Sequence, residues 1–160
     1  TTEIYTLSLH DALPISVPLR HDSSDSLVSS SGASLMSLGH GSRIGTGSPR
    51  RAALLMFHRP DLDVVEIRGN VDTRIRKVDE GMYDAVVLAT AGLFRLGLED
   101  RISEKLGVRE FPPAPGQGAL AVQMRDEDSE LHRVVKSLDD LDARATTGAE
   151  RAFLRGLGGG

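Results

Sequence analysis

No cysteine and no tryptophan occur in the 160 residues, only six residues are aromatic, and three lysines stand against sixteen arginines. Without cysteine, disulfides, thiolate catalysis and cysteine-ligated metals are excluded for this chain. The five histidines (10, 21, 40, 58 and 132) are scattered and show no ligand spacing, so no metal site is expected. Apolar runs fall far short of the roughly 18–20 residues that cross a bilayer. No charged, apolar and small-residue series at the N-terminus reads as a secretory signal, so the expectation is a cytoplasmic protein without membrane contact.

The net charge of −4 is unevenly spread. Residues 43–77 carry eight Arg/Lys (43, 50, 51, 59, 68, 74, 76, 77) against four acids (61, 63, 66, 72), a local +4 that leaves −8 elsewhere. A basic patch in an acidic, aromatic-poor chain points to a small anionic ligand and away from nucleic acid, which asks for a broad basic face with aromatics. GC-rich coding bias accounts for arginine over lysine in bulk, so position has to carry the reading.

Residues 1–16, "TTEIYTLSLHDALPIS", match nothing that follows and resemble translated adapter sequence, so they are set aside as a non-native leader. Residues 29–42 are Ser/Gly-rich and read as a loop with one short helical turn. A regular rhythm then begins. "SRIGT", "DVVEI" and "DAVVLAT" read as strands, alternating with helices in "SPRRAALLMFHR", "VDTRIRKVDE" and "AGLFRLGL", which predicts βαβ units with a mainly parallel sheet. "FPPAPGQGA" marks a hinge. "ALAVQMR" reads as another strand, and helices are expected near 128–138 and 145–157, the second with Ala149, Ala152, Phe153 and Leu157 as its stripe. The expected domains are 17–112, a hinge at 113–118, and 119–160.

In "RIGTGSPRRAALL" Ser48 suits an N-cap and Pro49 the first helical position. Arg50 and Arg51 then fall in the first turn, where the macrodipole disfavours cations by about 0.3–1 kcal/mol each. An anion held there would reverse that cost. "EIRGNVDTRIRK" repeats the arrangement: Arg68 ends a strand, Gly69 turns, Asn70 caps, and Arg74 lies in the first turn. Val71, Ile75 and Val78 form the buried stripe, which Arg74 borders while Arg76 points to solvent. In "VVLATAGLFR", Arg95 follows the third strand end. Any one of these arginines alone reads as surface. All five at the C-terminal edge of a parallel sheet read as a carboxylate or phosphate site. No carboxylate, histidine or nucleophile is read beside them.

The ordered set "RIGTGSPRR", "IRGNVDTR", "YDAVVLATAGLFRLGL", "PAPGQGALAV" and "AERAFLRGLGGG" resembles the porphobilinogen deaminase (hydroxymethylbilane synthase) family over about residues 20–160. The resemblance implies a periplasmic-binding-protein-like α/β lobe with incomplete flanking elements. It implies a transferase joining four porphobilinogens into hydroxymethylbilane with loss of ammonia, for tetrapyrrole biosynthesis, on a dipyrromethane cofactor. By motif match, Thr46, Ser48, Arg50, Arg51, Arg68, Gly69, Asn70, Arg74, Arg95 and Gln117 fall on cofactor- or substrate-binding positions, and the bound groups are pyrrole carboxylates. The family's catalytic aspartate belongs to a first domain not found here, and its cofactor cysteine is expected just after Gly160. No catalytic residue is therefore assigned, and the chain is read as a cut piece, inactive alone. Two departures stand out: "RHDSSDSL" at 20–27 and Pro49, neither expected to touch the arginines. The family is usually monomeric, but "ALAVQMR" and the last helix would lack their partner and promote self-association. The competing reading is a non-enzymatic anion-binding module of periplasmic-binding-protein type.

Overall fold

The computed structural model describes residues 16–124 and 129–158, which fall into two compact units, one of 21–118 and one built from residues up to 20 together with 119 onward.

The larger unit holds β1 (Asp25–Ser29), β2 (Arg43–Gly45), α1 (Pro49–His58), β3 (Asp63–Val65), α2 (Val71–Asp79), β4 (Ala85–Ala89), α3 (Thr90–Arg95) and β5 (Glu104–Leu106). The sheet order is β3-β2-β4-β1-β5. β2 pairs parallel with β3 and β4, whereas β1 runs antiparallel to both β4 and β5. Four strands thus share one direction, the mainly parallel α/β sheet that the rhythm predicts.

Alternation along the strands separates two cores. Leu27, Ile44, Ala85, Val87 and Leu106 pack with Leu55 of α1 and with Leu35, Leu38 and Phe111 on one face. Val28, Val86 and Leu88 pack with Ile75 and Val78 of α2 and Leu93 of α3 on the other. Each of these larger side chains contributes about 1.5–3 kcal/mol on full burial. The stripe expected on α2 is therefore seen, with Arg76 exposed.

Two strands escaped the sequence reading. β1, "DSLVS", is buried at every residue, and its hydroxyls are satisfied internally: Ser24 and Ser26 lie 2.8 and 2.7 Å from Thr90 Oγ1, and Ser29 Oγ donates to Ala33 O at 3.0 Å. Serine with such partners can be buried, so polarity hid a central strand. β5 is only three residues long. The expected loop at 29–42 contains a 3-10 turn, Leu35–Ser37, pinned by Arg59, whose Nη1 and Nη2 donate to Leu35 O (2.6 Å) and Leu38 O (2.9 Å). Arg59 in turn chelates Asp61 at 2.8 and 2.7 Å.

In the smaller unit α4 (Ser129–Lys136) and α5 (Leu141–Gly156) occur, α5 starting at an Asp140 cap whose side chain accepts from Ala143 N at 2.8 Å. Asp139 accepts from Val17 N (2.8 Å), Arg144 and Lys136, and Arg144 first of all holds its carboxyl well below the usual range. The strand expected at "ALAVQMR" is not formed within its described residues 119–124, where a single bridge joins Val122 to Ser16. The stripe assigned to α5 also differs. Ala143 and Thr147 are its buried positions, and Phe153 and Leu157 are each 69% exposed, so within its own unit this helix covers a different face. Among the described residues, no helix is long and apolar enough to cross a membrane. Of the leader at 1–16, only Ser16 lies among the described residues.

Arg59 lowers the Asp61 pKa from 3.8 to about 2, so the ionised carboxylate stabilises the fold above about pH 4 and that contribution is lost as pH falls toward 2. Thermal melts of the wild type and Asp61→Asn should differ at neutral pH, with the gap closing across that window; a gap independent of pH would refute the assignment. A second test concerns Gly118, which has φ +84° and whose added Cβ would lie 2.6 Å from Asp22 O. Gly118→Ala should lose at least roughly 1–2 kcal/mol from the left-handed backbone alone in a urea titration; an unchanged midpoint would overturn the close approach.

Candidate functional site

Strands β2, β3 and β4 end at Gly45, Val65 and Ala89, and their common direction puts these ends on one edge of the sheet. Each end turns directly into the segment that opens α1, α2 or α3. At α1 the Ser48 side chain accepts from Arg51 N at 3.4 Å, and buried Thr46 accepts from Ser48 N through Oγ1 at 3.2 Å. Thr46 and Ser48 are thus committed to shaping the turn. At α2 Asn70 caps Thr73 N at 2.9 Å, and Gly69 holds φ +119°, with Thr73 Cγ2 only 2.7 Å from where a Cβ would stand. Gly69 and Asn70 therefore set the direction in which the second helix leaves the sheet.

The five arginines divide into two kinds. Arg68, Arg74 and Arg95 have exposed or half-exposed side chains with replaceable partners. Arg68 is 85% exposed and pairs with Glu66 at 2.8 Å. Arg74 Nε donates to Gly69 O at 2.8 Å, and Arg95 Nη2 donates to Gly118 O at 2.8 Å. Such exposed contacts are weakly held.

Arg50 and Arg51 are different, because both reach a carboxylate that the sequence reading did not place there. Asp25, fully buried at the head of β1, pairs in register with Ala89 and so lies at the same sheet edge. Its Oδ2 accepts from Arg50 Nη2 at 2.7 Å; its Oδ1 accepts from Arg51 Nε at 3.0 Å and Nη2 at 2.7 Å. Gln117 joins the same network, its Nε2 donating to Asp25 Oδ1 at 2.9 Å and to Ser23 O at 2.7 Å. Backbone carbonyls complete the set: Pro112 O accepts from Arg50 Nη1 at 2.6 Å and Val87 O from Arg51 Nη1 at 3.2 Å. Two readings are corrected here. A carboxylate does sit beside the arginines, and the divergent segment at 20–27 does touch them.

The sequence signal for Asp25 was slight: one acid before a Leu-Val pair in a serine-rich stretch. Its reversed strand is what brings it to this edge, and a reversed strand breaks the βαβ rhythm. Of the ten residues singled out from sequence, Arg50, Arg51 and Gln117 share one hydrogen-bonded cluster, Thr46 and Ser48 shape the turn before α1, Arg68, Gly69 and Asn70 lie at the turn before α2, and Arg74 lies in the first turn of that helix. Arg95 closes α3 and is joined to the 113–118 segment through Gly118. Beside Thr46, Gly47 and Ser48 is an open depression also lined by Pro49, Ala52, Val64, Val65 and Glu66. Among the described residues, no group of three or more His, Cys, Asp or Glu side chains is arranged to hold a metal.

The family model described as "Porphobilinogen deaminase, dipyromethane cofactor binding domain" matches residues 6–133. Similar curated proteins include the porphobilinogen deaminases of Roseiflexus castenholzii (54% identical over 143 residues, 89% of this chain and 47% of that protein) and Xanthomonas oryzae pv. oryzae (51% over 140 residues, 88% and 46%). That of Nitratidesulfovibrio vulgaris strain DP4 is 49% identical over 144 residues, 90% of this chain and 46% of that protein. The chain thus spans about half the length of the curated relatives it matches. Among solved structures, a Salmonella typhimurium periplasmic binding protein described for high arginine specificity is similar with a TM-score of 0.47 at 14% identity, covering 90% of this chain and 62% of that one. With the family model over most of its length and relatives at half identity, this chain belongs to the porphobilinogen deaminase family.

Proposed function

We propose that this chain forms the carboxylate-gripping lobe of a porphobilinogen deaminase, the transferase that joins four porphobilinogens head to tail into hydroxymethylbilane and releases ammonia at each step. The carrying observation is that Arg50, Arg51, Arg68, Arg74 and Arg95 all stand in the segments that follow three strand ends on one sheet edge, with Arg95 closing its short helix. Guanidinium forks accept carboxylate and phosphate alike. Family membership supports the carboxylate, because porphobilinogen and its oligomers carry acetate and propionate arms on every pyrrole.

The same chemistry suits a dipyrromethane cofactor, which is itself a polycarboxylate. Arg68, Arg74 and Arg95 would hold its acid arms, since their present partners are surface groups that a ligand can displace. Bound there, the cofactor supplies the primer on which the pyrrole chain grows. Its attachment requires a thiol, and the sequence contains no cysteine. The 160 residues by themselves would then bind pyrrole acids and not condense them.

Isothermal titration of the chain with porphobilinogen tests this, with ammonia release followed in parallel. The expected result is saturable, salt-sensitive binding without turnover, weakened by roughly tenfold or more in Arg74→Ala, since a charge-assisted hydrogen bond contributes about 1.5–3 kcal/mol. Absence of binding in a folded sample would sink the proposal, and ammonia release would sink its second half.

A further inference from the structure

One buried ionisable group has no place in that reading. Asp25 is fully buried, yet it accepts from two guanidinium groups and one carboxamide, all belonging to residues of the anion site. We propose that Asp25 is a positioning residue: it presets the Arg50 and Arg51 forks and Gln117 so that a pyrrole carboxylate meets a fixed donor surface. This rests on the carboxylate-binding reading above.

The geometry carries the inference in three ways. First, Asp25 cannot leave. It lies in β1, paired on one side with Ala89 and on the other with Leu106, so its backbone is fixed by two neighbouring strands. Second, the arginines keep donors to spare. Each guanidinium has five N–H groups. Asp25, Pro112, Val87 and Gln117 take only some of them, and the side chains remain 25% and 12% exposed. Arg50 Nε is shielded from solvent and has no acceptor among the described residues. Third, the carboxylate changes the charge a ligand meets. Two cations and one buried anion leave one unit of positive charge, held in one geometry and not dispersed over two long flexible side chains. Ordering those side chains in advance removes a cost that binding would otherwise carry.

A purely structural Asp25 would matter for folding alone, so the test reads positioning directly. The 160-residue chain is labelled with 15N-arginine, its Nε–Hε signals are assigned, and porphobilinogen is titrated in. In the wild type the Arg51 signal should stay slow to exchange and unshifted on binding, because its hydrogen is held by Asp25, while Arg74 and Arg95 signals move. Asp25→Asn, which keeps the volume, should weaken porphobilinogen binding about tenfold or more although it removes a negative charge, and Asp25→Glu should recover part of the loss. A folded Asp25→Asn chain that binds as tightly as wild type, or tighter, overturns the proposal. So does release of the Arg51 Nε–H on ligand addition to the wild type, a result that needs no variant to fold. If the folded wild type binds no porphobilinogen, the functional reading itself falls, which is distinct from normal binding that ignores Asp25.

Discussion

A single buried carboxylate joins the parts of this lobe. Asp25 ties the head of the reversed strand β1 to the first turn of α1, to Gln117 in the Pro/Gly-rich segment and, through Arg51, to the carbonyl of Val87 in β4. Burying ions costs several kcal/mol each, and the mutual attraction offsets that only where the remaining polar atoms are satisfied. Here both carboxylate oxygens are engaged, each by at least one guanidinium N–H. Removing one partner of such a group leaves a charge uncompensated, which costs about 3–5 kcal/mol. The sheet edge therefore has its geometry fixed from within, before any ligand arrives.

That constraint explains why the arginines are not equivalent. Arg50 and Arg51 are anchored on a group that cannot be displaced, whereas Arg68, Arg74 and Arg95 rest on Glu66 and on backbone carbonyls at the surface. The first pair suits orientation, and the second set suits adaptation to ligands of changing length. If the ligand is the pyrrole chain proposed above, with two acid arms on each ring, it asks for both properties at once. The turns are built to match: Ser48 and Asn70 cap their helices through side-chain oxygens and Gly69 accepts a left-handed backbone, so little of the local conformation is left to the ligand.

Much of this was legible in the sequence where local rules are strong. The caps at Ser48 and Asn70, the Pro49 start, the apolar stripe of α2 and the strand at "DAVVLAT" are short-range patterns, and each appears as an element within a residue or two of its expected place. What was hidden depends on distant partners. β1 is polar in composition and becomes a central strand because Thr90 and Ala33 satisfy its serines across the fold. "ALAVQMR" has the composition of a strand, but among its described residues a single bridge, through Val122, pairs it within its own unit. Local propensity decides little where cross-strand partners are set by tertiary structure.

The two cations in the first turn of α1 show how far a broken local rule can be read. Their placement against the macrodipole was a correct sign that an anion is present, because a helix start with two arginines and no counter-charge would lose stability. The identity of that anion could not come from the helix. A ligand carboxylate and the Asp25 carboxylate satisfy the same electrostatic demand, and only the reversed strand, with Asp25 opposite Ala89, decides that the protein supplies its own. The consequence for binding follows from the charge count. Had the ligand been the only anion, its loss would leave two adjacent guanidinium groups repelling each other at a helix N-terminus. With Asp25 built in, the empty arginine pair carries one net positive charge in place of two, so ligand exchange along the edge need not disturb the helix that presents it.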